Sequence, residues 1–98
     1  MLLEYNNAMP TIRVPNVISY YTEKQTEFEV SGSTALEAVQ SAVEKYPALK
    51  FHVLDKEGNI RRHFNIFING VHIRDLNGIE TPLKEDDKVI LMASAAGG

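Results

Sequence analysis

Asn69-Gly70 lies between two stretches of alternating apolar residues, Phe64, Ile66 and Ile68 before it and Val71 and Ile73 after it. No other feature restricts the fold as strongly, because Asn-Gly supplies the two positive-φ positions of a two-residue hairpin turn, whose twist matches the strands it joins. Such a turn permits one register. Ile68 should face Val71 and Ile66 should face Ile73 on the core side, while Phe67 pairs with His72 on the outer side. Phe67 is thereby expected to be a large exposed apolar residue.

Other segments supply partners for this hairpin. Between Pro10 and Pro15, Ile12 and Val14 alternate with Thr11 and Arg13, which is the period of a half-buried strand. Thr26 to Val30 repeats the alternation with Phe28 and Val30, and Ser31-Gly32-Ser33 breaks it. Thr34 with Glu37 three residues later reads as a capping box, ahead of Leu36, Val39, Val43 and Tyr46 at helical spacing. These four define the expected apolar helix face, opposite Glu37, Gln40, Ser41, Glu44 and Lys45. Tyr46-Pro47 should end the helix, since a residue before proline is pushed out of the helical region. From Ala48 to Arg62 the pattern is weaker, and Phe51, Val53 and Leu54 before the turn-rich Asp55 to Asn59 suggest a short strand and hairpin. Lys88 to Ala93 is the last strand, with Val89 and Leu91 inward and Ile90 and Met92 outward. The order strand, strand, helix, hairpin, strand gives an α+β fold, specifically a β-grasp in which one main helix covers one face of a mixed sheet.

The chain has 98 residues, one domain by length. It contains no cysteine, so it has no disulfide framework, thiolate metal site or sulfur nucleophile of its own, and any sulfur chemistry must use sulfur delivered from outside. A net charge of −3 with interleaved signs argues against nucleic acid as the main partner, because neutralising phosphates needs a basic patch. No apolar run approaches the ~18 residues of a membrane span, and Met1 to Asn7 has no basic region followed by a long apolar segment. A cytoplasmic protein, monomeric when free, is expected. His52, His63 and His72 are not at metal-ligand spacing on a helix, and strand placements should disperse them. Glu85-Asp86-Asp87 reads as a turn. No catalytic residue and no metal site is expected.

The chain closes on Ala95-Ala96-Gly97-Gly98 directly after the last strand. Glycine has no Cβ, so a terminal Gly-Gly can pass a channel little wider than backbone and adopt dihedrals closed to other residues. At a glycine frequency of about 7%, two terminal glycines arise by chance in roughly one chain in two hundred. Residues 1–8 are expected to be a flexible extension, 9–94 the folded domain and 95–98 a flexible reactive tail.

Several pieces together resemble one family: Arg62-His63-Phe64-Asn65-Ile66-Phe67-Ile68-Asn69-Gly70, then Val71-His72-Ile73-Arg74, Leu76-Asn77-Gly78, Thr81-Pro82-Leu83, Asp86-Asp87-Lys88-Val89 and Gly97-Gly98. As a set they look like the ubiquitin-like sulfur carriers of the MoaD/ThiS family. The insert around Asp55 to Arg62 and the long hairpin are most like the CysO type. The resemblance implies a ubiquitin-like β-grasp that is a co-substrate and not a catalyst. An E1-like activating enzyme would use ATP to adenylate the Gly98 carboxylate, and a sulfur donor would displace AMP to leave a thiocarboxylate. A biosynthetic enzyme, such as a cysteine-synthase-like protein using pyridoxal phosphate, would then accept the sulfur. ATP and pyridoxal phosphate belong to those partners, and no cofactor is bound by this chain.

Ordering Ala95 to Gly98 in a partner's channel costs about 1 to 2 kcal/mol per residue, roughly 4 to 8 kcal/mol in all. Contacts outside the tail must offset this. Four extended residues reach about 13 to 14 Å, so the body must dock beside the channel entrance. Phe67, Ile90 and Met92 are expected to form the docking patch, with Arg13 and Arg74 at its edge. Three other roles use the same layout: a protein modifier joined to lysine through Gly98, the small subunit of a molybdopterin-synthase-like complex, and an interaction module in which the tail is irrelevant.

Overall fold

The computed structural model describes residues 9–94. Five strands form a mixed sheet: β1 (Thr11–Arg13), β2 (Glu27–Glu29), β3 (Phe64–Ile68), β4 (Val71–His72) and β5 (Lys88–Ala93), in the order β2-β1-β5-β3-β4. β1 and β5 run parallel, and the other neighbours are antiparallel. Helix α1 (Ala35–Lys45) packs on one face, and the short helix α2 (Lys50–Val53) follows it. This is the β-grasp that the alternation patterns imply.

The hairpin turn forms as its residues dictate, with φ of 50° at Asn69 and 89° at Gly70, and Ile68 pairs with Val71 and Phe67 with His72. Asn69 also ties the hairpin to the start of β5. Its N–H donates to Lys88 O at 2.9 Å, its Oδ1 accepts from Lys88 N at 2.9 Å, and its Nδ2 donates to Asp87 Oδ1 at 2.8 Å. The expected Ile66–Ile73 pair does not form. β4 is only two residues long, and the chain turns at Ile73 into the 3-10 helix Ile73–Asp75. Val71 is likewise exposed and not in the core, because β4 is the outermost strand and nothing covers that position.

The core lies between sheet and helix. Ile12 and Val14, Phe28 and Val30, Phe64, Ile66 and Ile68, and Val89 and Leu91 point inward from the sheet strands and their flanks. Against them α1 buries Ala35, Ala38, Val39 and Ala42. This corrects the expected helix face. Of Leu36, Val39, Val43 and Tyr46, only Val39 is fully buried, while Val43 and Tyr46 pack at the margin and Leu36 is half-buried. Three alanines let the helix approach the sheet closely, rotating the longer residues toward the sides. Tyr46 meets Phe28 edge-on at 5.0 Å there. The N-cap forms as read, with Glu37 N–H donating to Thr34 Oγ1 at 3.2 Å, but Glu37 Oε1 accepts from Ser33 N at 2.8 Å and so reaches one residue beyond the cap.

The insert departs from the expected strand. Pro47–Leu49 is a 3-10 helix that runs into α2, which buries Leu49 and Val53. A single bridge, Leu54 to Ile60, closes the loop, and Asp55 Oδ1 accepts from Glu57 N and Asn59 N at 2.9 Å each to fix its turn. The 3-10 helix Asn16–Thr22 fills the connection from β1 to β2. No helix among the described residues is long and apolar enough to cross a membrane.

Gly32 marks the closest approach of the turn to α1. Its φ is +144°, and a Cβ there would lie 2.9 Å from Ala38 N and Glu37 C. Gly32→Ala is therefore expected to lower stability by about 1 to 3 kcal/mol. A urea denaturation series reads this as a lower midpoint at unchanged slope; an unchanged midpoint would contradict the packing described.

Candidate functional site

β5 is the strand that hands the chain to its last residues, and it lies between β1 and β3. Register places Arg13 beside Ile90 and Ile90 beside Phe67, and Phe67 pairs with His72. Arg13, Ile90, Phe67 and His72 thus form one row across four strands on the face away from α1. Met92 and Asn65 form the next row. Met92 is 51% exposed, and Ile90 and Phe67 are half-buried. Phe67 is less exposed than expected because the His72 ring packs edge-on against it at 5.0 Å. The structure therefore brings Arg13, Phe67, Ile90 and Met92 onto one surface. Arg74 lies in the turn after β4, its side chain exposed and its N–H donating to His72 Nδ1 at 3.0 Å.

A polar chain crosses the same face. His72 Nδ1 accepts from Arg74 N–H, so in the neutral ring the proton sits on Nε2, which donates to Asn65 Oδ1 at 3.0 Å. Asn65 Nδ2 donates to Ser94 Oγ at 2.8 Å, and Ser94 N–H donates to His63 O at 2.6 Å. Ser94 is the last described residue. Its main chain and side chain are both tied down, which fixes the end of the described body. Ala95, Ala96, Gly97 and Gly98 themselves lie outside the described residues, as do residues 1–8.

Two grooves flank this point. One, of about 800 Å³, lies between the end of β1 and the second half of β5 and is lined by Arg13, Pro15, Val17, Ile90, Met92 and Ala93 among others. The second, of about 540 Å³, includes Val17, Phe51, His52, Arg61, His63 and Ser94. Val17 and Phe51 are 74% and 62% exposed, and Arg61 Nε donates to Phe51 O at 2.9 Å. The sequence pattern did not point to Val17, Asn65 or Ser94 as site residues, and it read Phe51 as part of a short strand where the structure has α2. Alternation does put Asn65 on the face of Phe67, but its bond to Ser94 spans 29 residues, and Val17 lies in a 3-10 segment without a period to read.

Of the three histidines only His72 lies on a strand, β4, and His63 directly precedes β3. His52 sits on α2, stacked on Tyr21 at 3.8 Å, and shares the second groove with His63, while His72 lies on the outer face. Among the described residues no group of three or more His, Asp or Glu side chains could hold a metal. The acidic segment serves the turn into β5, with Asp87 Oδ2 accepting from Lys84 N at 2.8 Å.

A mixed five-stranded sheet grasping one main helix, with the central strand running out into Gly-Gly, defines a ubiquitin-like protein. The model of the ThiS family matches residues 12–98. The chain belongs to that family, the ubiquitin-like sulfur carriers. It is similar to the sulfur carrier protein CysO of Mycobacterium tuberculosis, with 24% identity over 90 residues, which is 90% of this chain and 97% of that protein. Among solved structures, the small archaeal modifier protein 1 (SAMP1) of Methanosarcina acetivorans superposes with a TM-score of 0.82 at 28% identity, covering 96% of this chain and 100% of that one. A chain of the Amycolatopsis orientalis BexX/CysO complex gives 0.79 at 26% identity, covering 91% and 99%.

The Ser94 anchor has a measurable consequence. Asn65→Ala removes the bonds to His72 and Ser94 and is expected to cost about 1 kcal/mol while lowering the ¹⁵N order parameter of Ser94. An unchanged order parameter in a folded variant would show that the polar chain does not hold this residue.

Proposed function

We propose that Gly98 is the reactive residue of this chain and that it carries sulfur as a thiocarboxylate. A carboxylate does not accept a sulfur nucleophile while oxide is its leaving group, so it is activated first. An E1-like enzyme joins the Gly98 carboxylate to the α-phosphate of ATP, releasing pyrophosphate and forming an acyl adenylate. A sulfide or persulfide sulfur then attacks the acyl carbon and AMP leaves; where the donor is a persulfide, reductive cleavage of its S–S bond completes the step. The product is anionic at neutral pH and more nucleophilic than the carboxylate it replaces. The chain is a co-substrate, and ATP and any pyridoxal phosphate belong to the enzymes that act on it.

One observation carries this reading: the family match includes both the β-grasp body and the Gly-Gly end, running from Ile12 to Gly98. The similarity to CysO along 97% of that protein supports cysteine biosynthesis as the destination, with a cysteine-synthase-like enzyme as acceptor. The row of Arg13, Ile90 and Phe67 with Met92 beside it is the surface we assign to partner docking, and Arg74 to its polar margin. Contacts of this kind help to offset the roughly 4 to 8 kcal/mol needed to order four tail residues.

A second reading is favoured by the similarity to SAMP1, whose name makes it a modifier. The same adenylate would then pass Gly98 to a lysine amine and form an amide. The two readings share the activation step and differ in the acceptor.

Intact mass after incubation with ATP, the cognate activating enzyme and sulfide tests the proposal. Replacement of one oxygen by sulfur is expected for the whole chain and not for a variant lacking Gly98. No change in the whole chain, with an enzyme shown to be active, would overturn it. Phe67→Ala should remain folded and raise KM for the activating enzyme by about tenfold, a loss of more than 1 kcal/mol being typical of an apolar anchor. An unaltered KM would remove Phe67 from the docking surface.

A further inference from the structure

The two outer edges of the sheet are protected, but an inner one is open. β2 is three residues long with Glu27 and Glu29 exposed, and β4 is two residues long; short, charged edges resist pairing. On β5, main-chain groups alternate between its two neighbours. Asp87 O accepts from Thr11 N at 3.0 Å, whereas Lys88 O accepts from Asn69 N at 2.9 Å and Ser94 N donates to His63 O. Even-numbered residues of β5 therefore address β3, and odd-numbered ones address β1.

The β1 ladder stops at Arg13–Ile90. Val14 N–H turns to β2, donating to Thr26 O at 2.9 Å, and the next residue facing β5 is Pro15, which has no N–H to give. The chain then leaves β5 through the 3-10 helix Asn16–Thr22. Leu91 C=O and both main-chain groups of Ala93 face the space left behind. Among the described residues no backbone or side-chain hydrogen bond outside the sheet ladders meets them. This space is the groove of about 800 Å³, with exposed Val17 and Met92 on its walls and Arg13 at its rim.

We propose that the free edge of β5 at Leu91–Ala93 receives an extended, largely apolar segment of the adenylating partner, which continues the sheet where β1 leaves it. The inference rests on the carrier reading, and the length of the chain names the occupant. Four residues beyond Ser94 reach at most about 13 to 14 Å, so an enzyme acting on Gly98 must bring its surface against Ala93 and Ser94. The groove opens there. Main-chain bonds to Leu91 and Ala93 supply affinity that does not depend on side chains, while the pockets beside Val17 and Met92 select apolar residues. Pairing also holds β5 straight into the channel, fixing the direction of the tail at the moment of activation.

Amide hydrogen exchange followed by NMR on the ¹⁵N-labelled carrier, free and saturated with the cognate activating enzyme, reads the edge directly. Exchange at Ala93 is expected to slow by about tenfold or more in the complex. Ala93→Pro deletes the N–H that faces the groove and leaves every bond to β3, so it should stay folded by its NMR spectrum while raising KM about tenfold; Ala93→Val, which keeps the N–H, should change KM little. Equal exchange in both states, or equal KM for Ala93→Pro and Ala93→Val, overturns the docked strand. Protection that grows with carrier concentration without enzyme assigns the edge to a second copy and also overturns it. Wild-type thiocarboxylate formation with an unprotected Ala93 leaves the carrier reading standing and removes only this inference; no thiocarboxylate from wild type removes both.

Discussion

The structure depends on the clamping of β5 between a parallel and an antiparallel neighbour. β5 joins the two halves of the sheet, β2-β1 and β3-β4, and its inward residues Val89 and Leu91 are 0% and 3% exposed. Burial at that level contributes about 1.5 to 3 kcal/mol for each such side chain relative to leaving it in water. The strand cannot slip without turning Ile90 and Met92 into the core and Val89 and Leu91 out of it. A fixed register means a fixed end. Ser94 is pinned through His63 O and Asn65, so the end of the described body is held at a defined point.

On the proposed reading the labour is divided. The body contributes position and contact surface, and the chemistry is assigned to the terminal carboxylate and to enzymes that act on it. Asn69 serves the arrangement from the far end of β5. By bonding Lys88 and Asp87 together with the turn it closes, it links the hairpin register to the start of the strand whose end carries the tail. The same residue is thus part of a local turn and part of the long-range geometry of the site.

Alternation made the sheet legible. Asn69-Gly70 and the period-two run of β3 determined the pairing of Phe67 with His72, and Lys88 to Ala93 showed which side chains of β5 face outward, so that Phe67, Ile90, Met92 and Arg13 could be placed on one surface. The helix face was less legible, because large apolar residues dominate a helical pattern and alanine weighs little in it. In the structure Ala35, Ala38 and Ala42 lie against the sheet because they are small enough to let α1 come close. Residues 48–62 read as a strand and hairpin, yet Leu49 and Val53 are buried from a 3-10 helix and a single helical turn; short apolar runs do not distinguish the two. The Ser94 anchor and the open edge at Ala93 depend on contacts across 29 residues or more and on where β1 ends, and no local pattern encodes either.

The central claim is that Gly98 leaves its activating enzyme carrying sulfur. Tandem mass spectrometry of the C-terminal peptide released from the protein as it exists in its own cells tests this most directly. The account predicts a fraction of that peptide with sulfur in place of one terminal oxygen at Gly98, increasing when transfer to the acceptor is blocked. A peptide found only as the free carboxylate, or with Gly98 in amide linkage to a lysine, would contradict it.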